Sequence, residues 1–343
     1  MHLRILGSAA GGRFPQWNCG CGNCVAVRES IRNNAPDALH NNPRKDVHRN
    51  SRPKEFTGKP RTQAQLALSS DGSIWFLAGA SPDLAFQIEA TPALHPRALR
   101  DSPIAGVLLA SADLDHVAGL LLLRELQPLR VYAAPSVLRI LREENSMFGM
   151  LNRTDPQVTW SPMNTGAPFS LQDAAGNDSG LCCEAVFLSK RYPKYVKTKG
   201  LAPEATAAMI FESNSSGSVS KKRWATSLVG RPAKRRVAYI PAVEKLDDKL
   251  LTKIDGADVL LLDGTFWSDD ELIRIQGSGE TAHQMGHIPV EESLRLLKNV
   301  KVGRRIYVHI NNTNPILNEA SPEHCAVRAA GWEVAEDNWH LEL

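Results

Sequence analysis

The sequence predicts an α/β protein with mixed sheets, and three observations carry that expectation. Short apolar runs of strand length recur along the chain. Several alternate with helical stretches, the pattern of parallel pairing through crossovers. At least one pair is joined by Asp71-Gly72, a strong hairpin signal, which adds an antiparallel component.

Leu3 to Leu6 reads as the first strand, ending in the small-residue turn Gly7-Ser8-Ala9-Ala10-Gly11-Gly12. That turn lacks the spacings of a phosphate-binding loop. Three cysteines follow within six residues, and 32–63 is then polar, proline-dotted and basic (Arg44, Lys45, Arg49, Arg52, Lys54, Lys59, Arg61). A solvated insertion is its simplest reading, and a docking surface for an acidic or peptide partner the alternative. Strands are predicted at 65–69 and 73–78, at 104–110, running into Ser-Ala-Asp-Leu-Asp-His, and at 129–133. A short helix over 119–127 stops at Pro128, and 135–150 reads as helical. Further strands are expected at 183–189, 207–212, 237–241, 257–262 and 304–310, then a helix at 321–330 and a last strand near 338–343. The basic stretch 213–236 reads as a hairpin loop or mobile lid. One domain is expected across 1–343, with insertions near 32–63 and 213–236.

Composition excludes several classes. With 343 residues, 43% hydrophobic and 22% charged, the chain buries a real core and is not disordered. No apolar run approaches the ~18–20 residues of a membrane span. The amino-terminal stretch lacks the pattern of a signal peptide, so a cytoplasmic protein is expected. A net charge of +3 is too small to argue for nucleic acid.

Two constellations carry chemistry. Cys19, Cys21 and Cys24 form a CxCxxC cluster that suits a tetrahedral ion such as zinc, against the alternative of three free cysteines together by chance. A fourth ligand is open among His324, Cys325, His40 and His48. The second constellation lies at strand ends, where α/β sheets build sites: Asp113, Asp115 and His116 after one strand, Asp263 after another, His309 ending a third, and His283 and His287 in an intervening loop. Each alone has an ordinary explanation, a helix cap for Asp113 or Asp115 and a structural role for a lone histidine. Three strand ends each delivering an Asp or His are harder to explain that way.

The stretches Leu6 to Gly12 with Phe14-Pro15-Gln16-Trp17-Asn18-Cys19, Asp115-His116 with Gly119-Leu120-Leu121 and Arg124-Glu125, Asp263-Gly264-Thr265-Phe266-Trp267, Met285-Gly286-His287, and His309 to Pro315 followed by Ala330-Gly331-Trp332-Glu333 carry a resemblance. The chain resembles the metallo-β-lactamase superfamily, and within it is similar to the pyrroloquinoline quinone biosynthesis protein B family. The resemblance implies a four-layer αββα sandwich with a metal site along one edge of its sheets. The superfamily's hydrolases hold two metal ions with HxHxDH. Here Ser111 and Asp113 stand at the first two histidine positions, and no histidine occurs between His116 and His283. The implied centre therefore holds one ion, with Asp115, His116, Asp263 and His309 as ligands, closer to non-haem iron(II) oxygenases than to two-metal hydrolases.

The resemblance implies iron-dependent hydroxylation of tyrosine in a precursor peptide or a small peptide-derived substrate, in pyrroloquinoline quinone biosynthesis or a related peptide-modifying pathway, with or without a peptide-carrier protein as a further partner. A metal-dependent hydrolase of phosphodiesters or peptides, or a non-catalytic carrier of a pathway intermediate, are the alternatives. His287 is expected as hydrogen-bond donor or proton shuttle, His283 as a weaker candidate, and Asp113 as a residue orienting a ligand. Fe(II) is implied in the active site and Zn(II) at the cysteines. In related carbon–phosphorus lyase phosphodiesterases, a histidine three residues beyond the last active-site histidine completes the cysteine site. That position here is Asn312, a poor zinc ligand by type.

Overall fold

The computed structural model describes residues 1–33, 56–152, 157–197, 199–213 and 234–343. Its strands form two seven-stranded sheets. The first contains β1 (His2–Gly7), β2 (Gln65–Ser69), β3 (Trp75–Ala78), β4 (Ile104–Leu108), β5 (Leu129–Ala133) and β6 (Val158–Pro162). The second contains β7 (Phe169–Gln172), β8 (Asp178–Ser189), β9 (Thr206–Ser213), β10 (Arg236–Ile240), β11 (Ala257–Asp263), β12 (Val302–Val308) and β13 (Glu333–Val334); β14 (Trp339–Glu342) returns to pair with β1. Each sheet has an antiparallel half and a parallel half. β3 to β6 run parallel in the first and β10 to β13 in the second.

Side-chain alternation with period two sorts the apolar residues into layers. Val237, Tyr239, Val259 and Leu261 face the other sheet with Leu66, Leu68 and Leu108, making the central core. Ala238, Ile240, Leu260 and Leu262 face outward. There they pack beneath α1 (Gly22–Asn33), α5 (Asp248–Ile254), α7 (Val290–Leu296) and α8 (Pro322–Ala329). The outer face of the first sheet is covered by α2 (Leu84–Glu89), α3 (Leu114–Val117) and α4 (Pro135–Arg139). Both faces of the inner strands are buried, which is why they read as unbroken apolar runs. The result is the expected αββα sandwich.

The Asp71-Gly72 hairpin forms, with Gly72 at φ +80° and Leu66 opposite Ala78. Its second strand begins at Trp75 rather than at 73, because the Asp71 carboxylate accepts the N–H groups of Ser73 at 2.8 Å and Ile74 at 3.2 Å. The helix expected over 119–127 is a shorter 3-10 turn, Ala118–Leu123, continuing α3. The stretch 135–150 is α4 followed by π-type (Ile140–Glu144) and 3-10 (Ser146–Asn152) turns. α1 was not predicted, having only Cys24 and Val27 buried, too few apolar contacts to write a period.

The basic insertion needs correction at both margins. α1 runs to Asn33, and residues 56–63 are ordered against the sheet edge. Arg61 is buried, donates to Ser8 Oγ at 3.3 Å and to the Ala335 carbonyl, and is paired through its backbone with Phe14. It is no solvated loop cation. The rest of that insertion, and the core of 213–236, lie outside the described residues. β9 and β10 pair antiparallel across the latter, so the segment does connect a hairpin. No described helix is long and apolar enough to cross a membrane.

Candidate metal centre

The site lies where the two sheets meet. The segments just beyond β1 and β12 are joined by reciprocal backbone bonds, Ile310 N–H to Ser8 O at 2.9 Å and Ala10 N–H to Ile310 O at 2.9 Å. This holds His309 in a left-handed conformation at φ +56°, which costs a non-glycine residue about 1 kcal/mol. β4 delivers the loop 109–113 and α3, which carries Asp115 and His116. β11 ends on Asp263.

His116 is buried, and its two nitrogens differ. Nδ1 lies 2.8 Å from Ser111 Oγ, and that hydroxyl is 2.7 Å from Asp113 Oδ2. If the serine proton goes to the carboxylate, Nδ1 is the protonated nitrogen and Nε2 keeps its lone pair. Nε2 is buried with no hydrogen-bond partner among the described residues. Burial lowers the pKa of His116 and keeps the ring neutral, the form that binds metals. Asp113 thus stands behind His116, linked to its Nδ1 through the Ser111 hydroxyl. It stands at the start of α3 but its side chain makes no capping bond.

His309 Nε2 is 3.1 Å from Asp115 Oδ2, and its Nδ1 is 2.9 Å from Thr265 Oγ1. Burial works against the charge on both partners, but their attraction prevails: the Asp115 carboxyl, beside His116 and His309, is held below the carboxylate range, and His309 is raised by Asp115. Asp263 is fully buried. Its Oδ2 lies 2.8 Å from His287 Nδ1, and its Oδ1 accepts from Thr265 Oγ1 at 2.6 Å. Burial would raise its pKa, but the His287 ring holds it down.

Two trios result, each with ligand atoms within 4.8 Å of one another: Asp115, His116 and His309, and Asp263, His287 and His309. The four residues expected to share one ion are therefore split. Asp263 comes together with His287 and His309, and His287 stands among possible ligands as well as on the cleft wall. His283 is not brought in. Its Nδ1 lies 3.1 Å from Glu244 O and its Nε2 2.9 Å from Glu292 Oε2. Sequence reasoning gave no role to Thr265, whose hydroxyl touches Asp263 and both His287 and His309. An Asp-x-Thr run at a strand end was its one signal.

The trios open into a cleft of about 420 Å³ lined also by Arg191, Tyr192, Lys194 and Glu280.

The cysteines do assemble, at the start of α1. Asn312 places its side-chain amide at the fourth corner, with Nδ2 3.0, 3.6 and 3.4 Å from the sulfurs of Cys19, Cys21 and Cys24. A half-turn of the amide puts Oδ1 in that place. Sequence reasoning discounted Asn312 by type; its placement makes it the candidate fourth ligand. Hydrogen bonding between the thiols raises the pKa of Cys21 and lowers that of Cys24, as for sulfurs sharing protons. His324 and Cys325 are not in the cluster: His324 Nδ1 lies 2.8 Å from Ile316 O, and Cys325 is exposed. His40 and His48 lie outside the described residues.

A β-lactamase superfamily domain model matches residues 74–310. Coenzyme PQQ synthesis protein B of Methylobacterium sp. (strain 4-46) is 37% identical, with all of both chains covered. The chain belongs to the PQQ synthesis protein B family of the β-lactamase superfamily. A solved structure of zinc-bound PqqB from Methylobacterium extorquens matches with a TM-score of 0.80 at 36% identity, covering all of both chains. A diphosphatase of the PhnP family, at TM-score 0.60 and 16% identity over all of this chain and 97% of that one, shares the fold. Against the superfamily's hydrolases, this PqqB family member presents Ser111 and Asp113 where the resemblance places two metal-binding histidines, and here they orient His116 instead.

Proposed function

We propose that the chain is an iron(II)- and O2-dependent hydroxylase in the biosynthesis of pyrroloquinoline quinone, acting on tyrosine in a precursor peptide or a substrate derived from it. The observation that carries this reading is the trio Asp115, His116 and His309 at the floor of an open cleft. Two imidazoles and one carboxylate are the donor set of non-haem iron(II) oxygenases. The fit rests on His116 Nε2, a buried nitrogen with no hydrogen-bond partner among the described residues, whose lone pair is available to a metal when the ring proton is on Nδ1. Zinc accepts the same donors, in keeping with the zinc-bound relative.

Iron(II) held there would supply the O2 chemistry that side chains lack. In the overall change an aryl C–H becomes C–OH, one O2 is consumed, its second oxygen leaves as water, and an external reductant supplies two electrons. The chain's own residues do the rest. Asp113 and Ser111 fix the His116 tautomer, and Thr265 fixes the His309 ring. His287, bonded at Nδ1 to Asp263, has Nε2 left for the substrate, where it takes or returns the phenol proton. Cys19, Cys21, Cys24 and Asn312 hold a structural zinc beneath the loop that carries His309.

A metal-dependent hydrolase is the second reading, favoured by the trio Asp263, His287 and His309, which offers a place for a second ion. The test is mass spectrometry of a tyrosine peptide incubated with the iron-loaded protein, O2 and ascorbate. The hydroxylase reading expects a product one oxygen heavier, abolished in a folded His116→Ala variant. Cleavage of a phosphodiester or peptide by a two-zinc form, without oxygen gain, supports the hydrolase instead.

A further inference from the structure

The backbone of β14 has one paired side and one open side. Met1 and Leu343 exchange both of their bonds, Leu343 N–H to Met1 O at 2.9 Å and the Met1 amine to Leu343 O at 3.1 Å. In an antiparallel pair such exchanging positions recur at every second residue. Leu341, opposite Leu3, therefore also bonds to β1, and the N–H and C=O groups of His340 and Glu342 point away from it. β14 ends its sheet, and no described strand lies against that outer side. An edge of this kind is a template for a further strand, and the usual blocks, lysine and proline, are absent from Trp339–Glu342. Other edges are closed: β6 ends on Pro162, and β13 has only two residues.

The side chains add two features. Trp339, Leu341 and Leu343 pack against the central core on the face of Leu3 and Ile5, yet all three are only half-buried, so the core is open along this edge. His340 and Glu342 lie on the opposite face and are exposed, with Glu342 3.9 Å from His2.

His340 and Glu342 also select the occupant. If β14 pairs with another β14, registers centred on His340 or on Glu342 set like against like, imidazole on imidazole or carboxylate on carboxylate. The register centred on Leu341 sets Glu342 of each copy opposite His340 of the other, where an imidazole N–H can donate to the carboxylate. Opposite partners of this kind support a strand pair, and like charges directly opposite weaken it. The same register brings Leu341 of the two copies together, with Cα atoms about 4.5 Å apart, and covers the open edge of both cores.

We propose that β14 pairs with β14 of a second copy of this chain, antiparallel about a two-fold axis at Leu341, so that the two sheets ending in β14 become one continuous sheet. The surface is self-complementary, as a two-fold interface must be. One short strand on each side makes it a small interface, with a dissociation constant on the order of 10 μM.

The test is sedimentation velocity of the full-length zinc-loaded protein from about 1 to 200 μM, a range that brackets that constant. The wild type is expected to pass from monomer to dimer, and hydrogen exchange in the peptide 338–343 to slow over the same range. His340→Pro removes an outward N–H without touching the bonds to β1, and should leave a monomer with an unchanged melting temperature in dilute solution. Glu342→Lys should weaken the dimer about 10-fold, and adding His340→Glu to it should restore the affinity, because the opposed pair is then rebuilt with its signs exchanged. A wild type that stays monomeric throughout overturns the proposal. So does a dimer that survives His340→Pro, or one whose 338–343 peptide exchanges as fast as the monomer's, since its interface then lies elsewhere.

Discussion

His309 Nε2 lies 3.1 Å from Asp115 Oδ2, and that contact brings the end of β12 in one sheet against the loop after β4 in the other. His309 is then fixed from behind by Thr265, and the neighbouring His116 by Ser111 and Asp113. Supporting contacts of this kind set ring orientation and tautomer, and their loss weakens metal binding without removing a ligand.

Thr265→Val keeps the shape of the side chain and removes the hydroxyl that touches Asp263 Oδ1 at 2.6 Å and His309 Nδ1 at 2.9 Å. Metal affinity at the active site should fall about 10- to 100-fold. Stability should fall by about 1–3 kcal/mol, because buried polar atoms lose their partner. Chelator competition and thermal melting measure the two effects. Wild-type affinity in this variant would show that His309 is not oriented by Thr265.

Cys21→Ser removes one of the three sulfurs around Asn312. The adjoining loop is held by Asn23 Nδ2, which donates to Asn312 O at 3.2 Å and Asn314 O at 3.0 Å, and by Asn314 Nδ2, which donates to Gly264 O at 2.9 Å. Zinc content and melting temperature should both drop, while metal at the active site stays. Asn312→Ala should lower zinc affinity as well. If Cys21→Ser melts with the wild type, the cysteine cluster has no structural metal.

Glu271, buried in α6 (Glu271–Gln276), accepts from Thr313 Oγ1 at 2.5 Å and the Trp267 N–H at 2.7 Å. Burial raises its pKa from an ordinary 4.5 to about 7. The folded state therefore binds the proton more tightly than the unfolded chain. Its contribution is fully favourable below pH ~4.5 and is lost as pH rises through about 7. Glu271→Gln, which mimics the neutral acid, should gain stability relative to wild type between pH 5 and 8, by at most about 3 kcal/mol. Denaturant melts at both pH values check this; a difference that does not change with pH would contradict it.

Much of the fold was legible because inner strands buried on both faces write continuous apolar runs, as Val259 to Leu262 does. What was hidden had weak local signals. α1 buries only Cys24 and Val27, and the edge strand β6 is largely half-buried. Arg61 looked like one more loop cation because its partners, Ser8 and Ala335, are 53 and 274 residues away. In the site, strand-end position and residue type pointed to Asp113, Asp115, His116, Asp263 and His309, with His283 and His287 in an intervening loop, and the resemblance chose Asp115, His116, Asp263 and His309 as ligands. They could not divide those residues between two trios, nor place His287 against Asp263, because those are contacts between distant loops.

The measurement that tests the central claim most directly is metal content per chain after anaerobic purification with and without added iron(II), in wild type, His116→Ala and Cys21→Ser. The account predicts one zinc and one iron in the wild type, loss of iron alone in His116→Ala, and loss of zinc alone in Cys21→Ser. Two zinc ions that survive Cys21→Ser would put a binuclear centre between the trios and contradict the mononuclear hydroxylase.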